Sequence, residues 1–110
     1  MPKTFSGPWV TATIDVSEDN DLTDEIDLQD EYQYIEIFIP TMTDTSLTFL
    51  VATDHGGTFV TIGNADNTEA CGTGGYVAVV EIGKWQFLKI ATADAQAADR
   101  VFTVRGFNVG

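Results

Sequence analysis

The strongest constraint in this sequence is the alternation of apolar and polar residues with a period of two. Residues 9–16 read Trp-Val-Thr-Ala-Thr-Ile-Asp-Val, so that every second side chain is apolar. Alternation of this kind is typical of half-buried strands, and no convincing stretch has the 3.6-residue period of a helix. Further segments rich in β-branched and aromatic residues are 32–39, 46–53, 76–82, 85–91 and 100–107. The pattern predicts an all-β fold.

Turn-forming residues separate the predicted strands. Pro40 is expected to end the strand 32–39, because proline cannot donate a hydrogen bond to a ladder. The turn 54–57 (Asp-His-Gly-Gly) is expected to close a hairpin, and 63–75 is predicted to be a Gly-rich loop. The dipeptide Gly83-Lys84 suits a two-residue type II′ turn between two further strands.

About eight short strands with closely spaced turns are typical of an antiparallel β-sandwich, and a jelly roll is one topology of that class. We expect residues 1–110 to form a single domain of this kind, with an acidic loop at about 17–25. One cysteine excludes an internal disulfide framework. No apolar run is long enough for a membrane-spanning helix, and no leader segment is recognisable.

The acidic residues are concentrated in the first half of the chain. There are 17 Asp and Glu against five Lys and Arg, giving a formal net charge of −12, and ten of the acids lie between Asp15 and Glu36. A polyanion repels nucleic acid and anionic lipid, so neither is predicted as a partner. The usual interpretation of such a run is a solvated face or loop.

Carboxylates at alternate positions can also wrap a hard cation. The ligand spacing of a calcium loop falls on Asp19, Asp21, Thr23, Glu25, Asp27 and Asp30. The sixth position is Asp24 instead of Gly, however, and the flanking residues resemble strands. We expect no cofactor, with Ca²⁺ in the acidic segment as a minor alternative. His55 and Cys71 lack a local motif for a nucleophile and its base, and the chain is not expected to be an enzyme.

The predicted hairpin at Gly83-Lys84 is apolar on both faces. In the register of a two-residue turn, Val80 lies opposite Phe87. The face assigned to the core contains Val77, Val79, Leu88 and Ile90. The opposite face is a candidate protein interface, consisting of Tyr76, Val80, Ile82, Trp85 and Phe87.

Alternatives remain open for this surface. The acidic loop or the segment around Trp9 could cover it within the monomer, and a one-residue slip of register would exchange the two faces. Arg100 and Arg105, on the last predicted strand, extend the candidate interface. They could pair with acids of a neighbouring subunit or with the acidic run of their own chain.

Several sequence elements recur in a fixed order over residues 36–107. They are Ile39-Pro40, Leu47 to Phe49, Asp54 to Phe59, Phe87 to Ile90 and Ala97 to Val104. In this order they resemble a family of small proteins found among the virion structural genes of tailed phages and prophages. The resemblance implies a β-sandwich that acts by binding, such as a capsid decoration (cement) protein or a fibre-type accessory protein, with no active site.

The leading hypothesis is therefore a phage virion structural protein, most simply a capsid decoration protein. Its partners would be the major capsid protein or other virion proteins, in multiple copies or as a homo-oligomer. It would be made in the host cytoplasm and located in the phage particle. The alternative is a carbohydrate-binding β-sandwich module of a phage tail or receptor-binding protein. The aromatic residues that could stack on sugar rings are Trp9, Trp85, Tyr32 and Tyr34.

Overall fold

The computed structural model describes residues 4–63 and 68–109. These residues form six strands: β1 (Thr4–Ser6), β2 (Val10–Ile14), β3 (Ile26–Ala52), β4 (Val60–Thr61), β5 (Glu69–Thr92) and β6 (Arg100–Val109). Every pairing between them is antiparallel. The described part of the chain contains no helix that could span a membrane. The predicted all-β class is confirmed, whereas the predicted count of about eight strands is wrong.

The count differs because β3 and β5 are long and bent, with 27 and 24 residues. Residues 34–39 of β3 pair with residues 76–81 of β5, and residues 47–52 of β3 pair with residues 87–92. Leu88 pairs with residues near both ends of β3, so the second half of β5 lies between those ends. The sheet therefore curls on itself, and segments predicted as separate strands are parts of one strand.

The curled sheet forms two layers around one core. In the first layer, β1 and β2 pair with β6, β6 pairs with residues 34–38 of β3, and β3 pairs with β5. The second layer contains the second half of β5, the two ends of β3, and the short strand β4. Ile37 and Phe102 of the first layer belong to the same buried cluster as Phe49 and Leu88 of the second. This arrangement fits a β-sandwich.

Pro40 lies inside β3 instead of ending it. Pairing of β3 with β6 stops at Phe38 and Thr103, whereas pairing with β5 continues to Thr41 and Gly74. At Pro40, β3 is therefore paired with β5 but no longer with β6. A missing N–H is tolerated at such an edge position. The predicted strand end is wrong because proline breaks a ladder only where its N–H is needed.

Gly83-Lys84 is a bulge and not a hairpin turn. Tyr34 pairs with Glu81 and Tyr32 with Trp85, so three residues of β5 lie opposite a single residue of β3. Gly83 has a φ of 96°, which glycine adopts without strain and which suits a bulge. The segments on either side pair with β3 and not with each other, and the predicted pairing across a hairpin is therefore wrong.

The predicted loop over 63–75 also needs correction. Residues 69–75 are the beginning of β5 and pair with β3 through Gly72 and Gly74. Residues 64–67 of the predicted loop lie outside the described residues. Glycine-rich composition favours a loop, but in this segment Gly72 and Gly74 pair with Thr45 and Thr41 of β3 across an irregular part of the ladder.

The faces of the segment 76–82 are the reverse of those predicted. Val80 and Ile82 are buried, whereas Val77 and Val79 are 46% and 58% exposed. The prediction that Val80 and Ile82 belong to an exposed interface is wrong. The buried positions are even-numbered on both sides of the bulge, because the chain continues in one direction and the two extra residues leave the period of two in phase. A hairpin turn at Gly83-Lys84 would instead have put Val79 on the same face as Leu88, which is why the prediction failed.

Beyond the bulge, the assignment of the core is correct. Leu88 and Ile90 are fully buried, as predicted. Trp85 and Phe87 are half-buried by their own chain, and Tyr76 is exposed. These three residues remain available at the surface, and their role in an interface stays a prediction.

The two neighbouring valines of β5 provide a test of the corrected faces. We expect Val80→Ala to lower the free energy of unfolding by about 2 kcal/mol, because buried methyl groups are lost and a cavity remains. Val79→Ala should change it by less than about 0.5 kcal/mol in dilute, monomeric protein, because the side chain is exposed on the single chain. Urea denaturation of both variants measures the difference. If Val79→Ala lowered the free energy of unfolding more than Val80→Ala did, Val79 would be the buried residue, as the sequence predicts.

Candidate functional site

The side of the first layer that points away from the core is apolar. Phe38 of β3 stands between Thr103 of β6 and Val77 of β5, and the next row places Glu36 between Arg105 and Val79. We use the name outer face for Trp9, Glu36, Phe38, Val77, Val79, Val101 and Arg105. Its five apolar members are all between 42% and 58% exposed. A contiguous exposed patch of this kind is typical of an interaction surface.

Arg105 organises the middle of the outer face. Its Nε and Nη2 atoms donate to Oε1 of Glu36 over 2.9 and 2.7 Å. Its guanidinium also lies 4.5 Å from the ring centroid of Trp9, whose ring is 5.2 Å from that of Phe38. Arg105 therefore pairs with the last acid of its own acidic run, which is the intramolecular alternative. The patch keeps a paired charge at its centre and an aromatic pair beside it.

Arg100 has a different role. Its Nε donates to Oε1 of Gln96 and its Nη2 to Oγ1 of Thr43, each over 3.1 Å. The buried Gln96 also accepts from the Thr43 amide and donates to the Thr43 carbonyl. In the part of the chain that the structure describes, the hydrogen-bond partners of Arg100 are neutral, and they hold the segment before β6 against β3. A contact of Arg100 with another subunit stays a prediction.

Carboxylates of the acidic segment and of Asp99 protect the free edge of β2. The amide of Thr13 donates to Oδ1 of Asp24 over 2.9 Å, and the amide of Asp24 donates to the Thr13 carbonyl over 3.3 Å. The amide of Val16, just beyond β2, donates to Oδ1 of Asp99 over 3.0 Å. Because an edge strand exposes unpaired backbone groups, these contacts replace a neighbouring strand. The acidic segment is thus partly structural, although residues 17–21 are exposed as expected.

The six positions with calcium-loop spacing do not converge on one point. The hydroxyl of Thr23 is buried, where it donates to the Asp24 carbonyl and accepts from the Ile90 amide. Asp27 accepts from the side-chain amide of Gln86. Among residues 4–63 and 68–109, no three potential ligands are grouped to hold a metal ion. That the chain needs no cofactor stays a prediction.

Glu25 ties the turn 54–57 to the beginning of β3. One carboxylate oxygen accepts from the Gly56 amide over 2.7 Å, and the other contacts Nδ1 of His55. The hydrogen bond from Gly56 holds the pKa of Glu25 below its usual value, and His55 lowers it further, although burial acts in the opposite direction. Cys71 is buried, with its Sγ 3.4 Å from the Thr45 carbonyl oxygen. His55 and Cys71 therefore have separate partners.

Trp85 lies between two clefts. The first has a volume of about 370 Å³ and a mainly apolar lining that includes Val51, Val60 and Ile62. The second, of about 300 Å³, is lined by polar side chains as well. Those side chains are Glu31, Thr53, Lys84 and Gln86. An aromatic ring beside several hydrogen-bonding groups is the combination that a polar ring ligand such as a sugar requires.

The four aromatic residues predicted for sugar stacking are not together. Tyr32 is buried in the core, where its ring would collide with a side chain at Gly106, so the prediction that it stacks on a ligand is wrong. Tyr34 stacks on Phe107 with ring centroids 5.2 Å apart. Trp9 belongs to the outer face, so that Trp85 is the one of these four residues that lines the clefts, with Phe87 beside it in the second cleft.

Comparison with known proteins gives likenesses of overall shape only. No family model matches the sequence, and no curated protein matches it. YomS, a protein derived from the SPBc2 prophage, is similar with 14% identity and a TM-score of 0.47, over 100% of this chain and 96% of YomS. The xylan-binding module CBM86 of Roseburia intestinalis is similar with 9% identity and a TM-score of 0.49, over 100% of this chain and 96% of the module. The module CBM32-1 of a Clostridium perfringens family 31 glycoside hydrolase has 16% identity and a TM-score of 0.47, over 76% of this chain and 69% of the module.

The outer face was not predicted from the sequence. The sequence contains an indication of this face, because Glu36 and Phe38 are two positions apart on one strand, as are Val77 and Val79 on another, so that each pair lies on one side of the sheet. Assigning the faces required knowing that the chain continues through Gly83 instead of reversing there, and this depends on the pairing of both flanking segments with β3.

The Glu25 contacts predict a pH-dependent contribution to stability. A carboxyl with a lowered pKa in the folded state stabilises the fold above its unfolded pKa of about 4.3, and this contribution is lost as the pH falls through the folded value. Glu25→Gln should therefore destabilise at pH 7 by less than about 1 kcal/mol, because the contact is near the surface, and much less at acidic pH. Urea midpoints at both pH values measure this. The exposed Glu18→Gln is the control, and an equal effect of Glu25→Gln at both pH values would contradict the prediction.

Proposed function

We propose that this chain is a structural protein of a phage particle, namely a capsid decoration subunit that binds its neighbours through the outer face. The observation that carries the proposal is the exposure of Trp9, Phe38, Val77, Val79 and Val101 on one side of one layer. Interface centres are enriched in aromatic residues and arginine, and this face supplies both. The resemblance of residues 36–107 to virion proteins supports a location in the particle.

The charge distribution is consistent with such a role. The central ion pair makes the middle of the outer face neutral, while the acidic segment lies around the edge of β2 and the turn 54–57. Burial of apolar surface contributes roughly 25 cal/mol per Å², less the entropy lost on association, and the gain is repeated for every copy on a particle. The acidic surface elsewhere favours solubility and repels nucleic acid. The partner in this proposal is the major capsid protein or another virion protein.

Particle binding should depend on Phe38. In phage particles purified on a density gradient from cells that make this protein, we expect the wild-type chain to co-purify with the particles. Phe38→Glu should reduce the amount bound by about tenfold or more, because a charge is buried without a partner at the contact. Quantitative immunoblotting of the particle fraction measures the loss.

The matched control is Val60→Glu, which places the same charge at an exposed apolar residue on β4, away from the outer face. It should leave particle binding unchanged. Circular dichroism checks that both variants fold. Absence of the wild-type chain from purified particles would overturn the proposed function, and equal loss in both variants would overturn the role of the outer face.

Carbohydrate binding is a second candidate function, and the position of Trp85 between two clefts favours it. The indole is only partly packed against the core, and the polar cleft beside it offers carboxylate, hydroxyl, ammonium and amide groups. These groups could fix the orientation of a sugar ring that stacks on the indole. The proposal needs none of the outer-face residues.

A glycan array separates the two candidates. If the chain is a carbohydrate-binding module, binding to one class of glycan should be lost in Trp85→Ala and retained in Trp9→Ala. Gln86→Ala, which removes a polar group of the cleft and its exposed hydrogen bond to Asp27, should weaken the same signal without the loss of packing that Trp85→Ala causes. No binding to any glycan by the wild-type chain would exclude this candidate among the glycans tested.

A further inference from the structure

The first layer ends on one side at residues 76–81 of β5. These residues pair with residues 34–39 of β3, and among the described residues no other strand pairs with them. The opposite end of the layer is formed by β1 and β2, and there Asp24 exchanges hydrogen bonds with the backbone of Thr13 in β2. That edge is capped in part, whereas the edge at residues 76–80 is open, because among the described residues no strand other than β3 and no side chain is seen to pair with its backbone.

Residues 76–80 of the open edge lack the devices that usually protect such strands, and the exposed Glu81 follows at the end of the edge. Residues 76–80 read Tyr-Val-Ala-Val-Val, with no proline and no charged residue. Proteins commonly protect an edge with lysine, proline or a bulge. Here the irregularities lie at the two ends of the segment, where Gly75 and Gly83 have φ values of 83° and 96°. Between them is a regular strand of high β-propensity.

We propose that this edge binds a second copy of the chain, with the two β5 strands paired antiparallel across a two-fold axis at Ala78. Val77 then lies opposite Val79 of the second copy, and Tyr76 lies opposite its Val80. The first layers of both copies become one continuous sheet, and their outer faces become one surface. The inference goes beyond the proposed function and holds whether or not the chain is part of a particle.

The sequence of the edge favours a second copy over an unrelated strand. A two-fold axis repeats every contact in both directions, and in this register the triplet Val-Ala-Val around Ala78 pairs with itself, so that uncharged side chains of small and medium size meet on both copies. In this register Glu81 lies opposite Gly75 of the second copy, at the end of the shared ladder, and it is not placed against an apolar side chain. A register centred on Val79 would instead place Glu81 opposite Val77. The two-fold axis at Ala78 is thus the more favourable of the two.

Most of the acids behind the net charge of −12 belong to the first half of the chain and not to the contacting strand. The capped edge of β2 lies three strand spacings from the open edge, or roughly 14 Å at about 4.8 Å per spacing. This exceeds the screening length of about 8 Å at physiological ionic strength. The acids around β2 of one copy are therefore largely screened from the second copy. Residues 76–80 are uncharged, and the acids beside them are Glu81 and Glu69, whose carboxylate accepts a hydrogen bond from the Tyr76 hydroxyl.

Sedimentation or light scattering of the purified full chain tests the proposal. We expect a species of twice the 11.9 kDa chain mass at micromolar concentration. Val79→Lys should raise the dissociation constant of the dimer by about tenfold or more, because it places a lysine at the paired edge. Val101→Lys is the matched control, since it makes the same change on the outer face but on β6, and it should leave the dimer intact.

Hydrogen exchange provides a second measurement, because pairing of two strands protects backbone amides whereas a dimer held by side chains alone does not. Alternate backbone amides between residues 76 and 80 should exchange slowly in the wild-type dimer and faster on dilution or in Val79→Lys. A monomeric wild-type chain, equal disruption by both lysine variants, or a dimer without protected edge amides would each overturn the proposal. Since no particle is used, failure here is distinct from failure of the virion proposal.

Discussion

The structure depends on the ladder between β3 and β5. The two strands, each of more than twenty residues, pair with each other along most of their length, and after the bend the second half of β5 lies between the two ends of β3. Strands of that length twist and coil too strongly to lie in one open sheet. Bulges near Gln29 and Gly83 absorb the bend, and the positive φ of both residues marks the points of change. The curl that encloses the core follows from this ladder.

The acidic run has two consequences that composition alone does not separate. Around residues 17–21 it is solvated, which agrees with the usual interpretation of a charge run. At Asp24 and Glu25, carboxylates accept hydrogen bonds from backbone amides that have no strand partner. Each such contact satisfies an amide that would otherwise depend on water. Negative charge in this chain therefore protects one edge of the first layer, while the apolar edge at residues 76–80 is left open.

Much of the fold could be predicted, and the candidate site could be predicted only in part. Period-two alternation identified the strand segments, and Leu88 and Ile90 were assigned correctly to the core. Val80 and Ile82 were assigned to the wrong face because Gly83-Lys84 was interpreted as a chain reversal. A glycine with positive φ serves a tight turn and a bulge equally well, and local sequence does not distinguish them. The apolar surface was therefore expected on the wrong side of the correct segment.

The sequence by itself determined the all-β class, the positions of most strand segments and the concentration of charge in the first half. These are local properties, since alternation and turn chemistry act over a few residues. The tertiary structure decided which segments join into one strand, which phase of each strand is buried and which edge stays open. Those outcomes depend on pairing between residues far apart in the chain, such as Ile26 and Val51 with Leu88. A period of two is satisfied by either face, and only the partner strand selects between them.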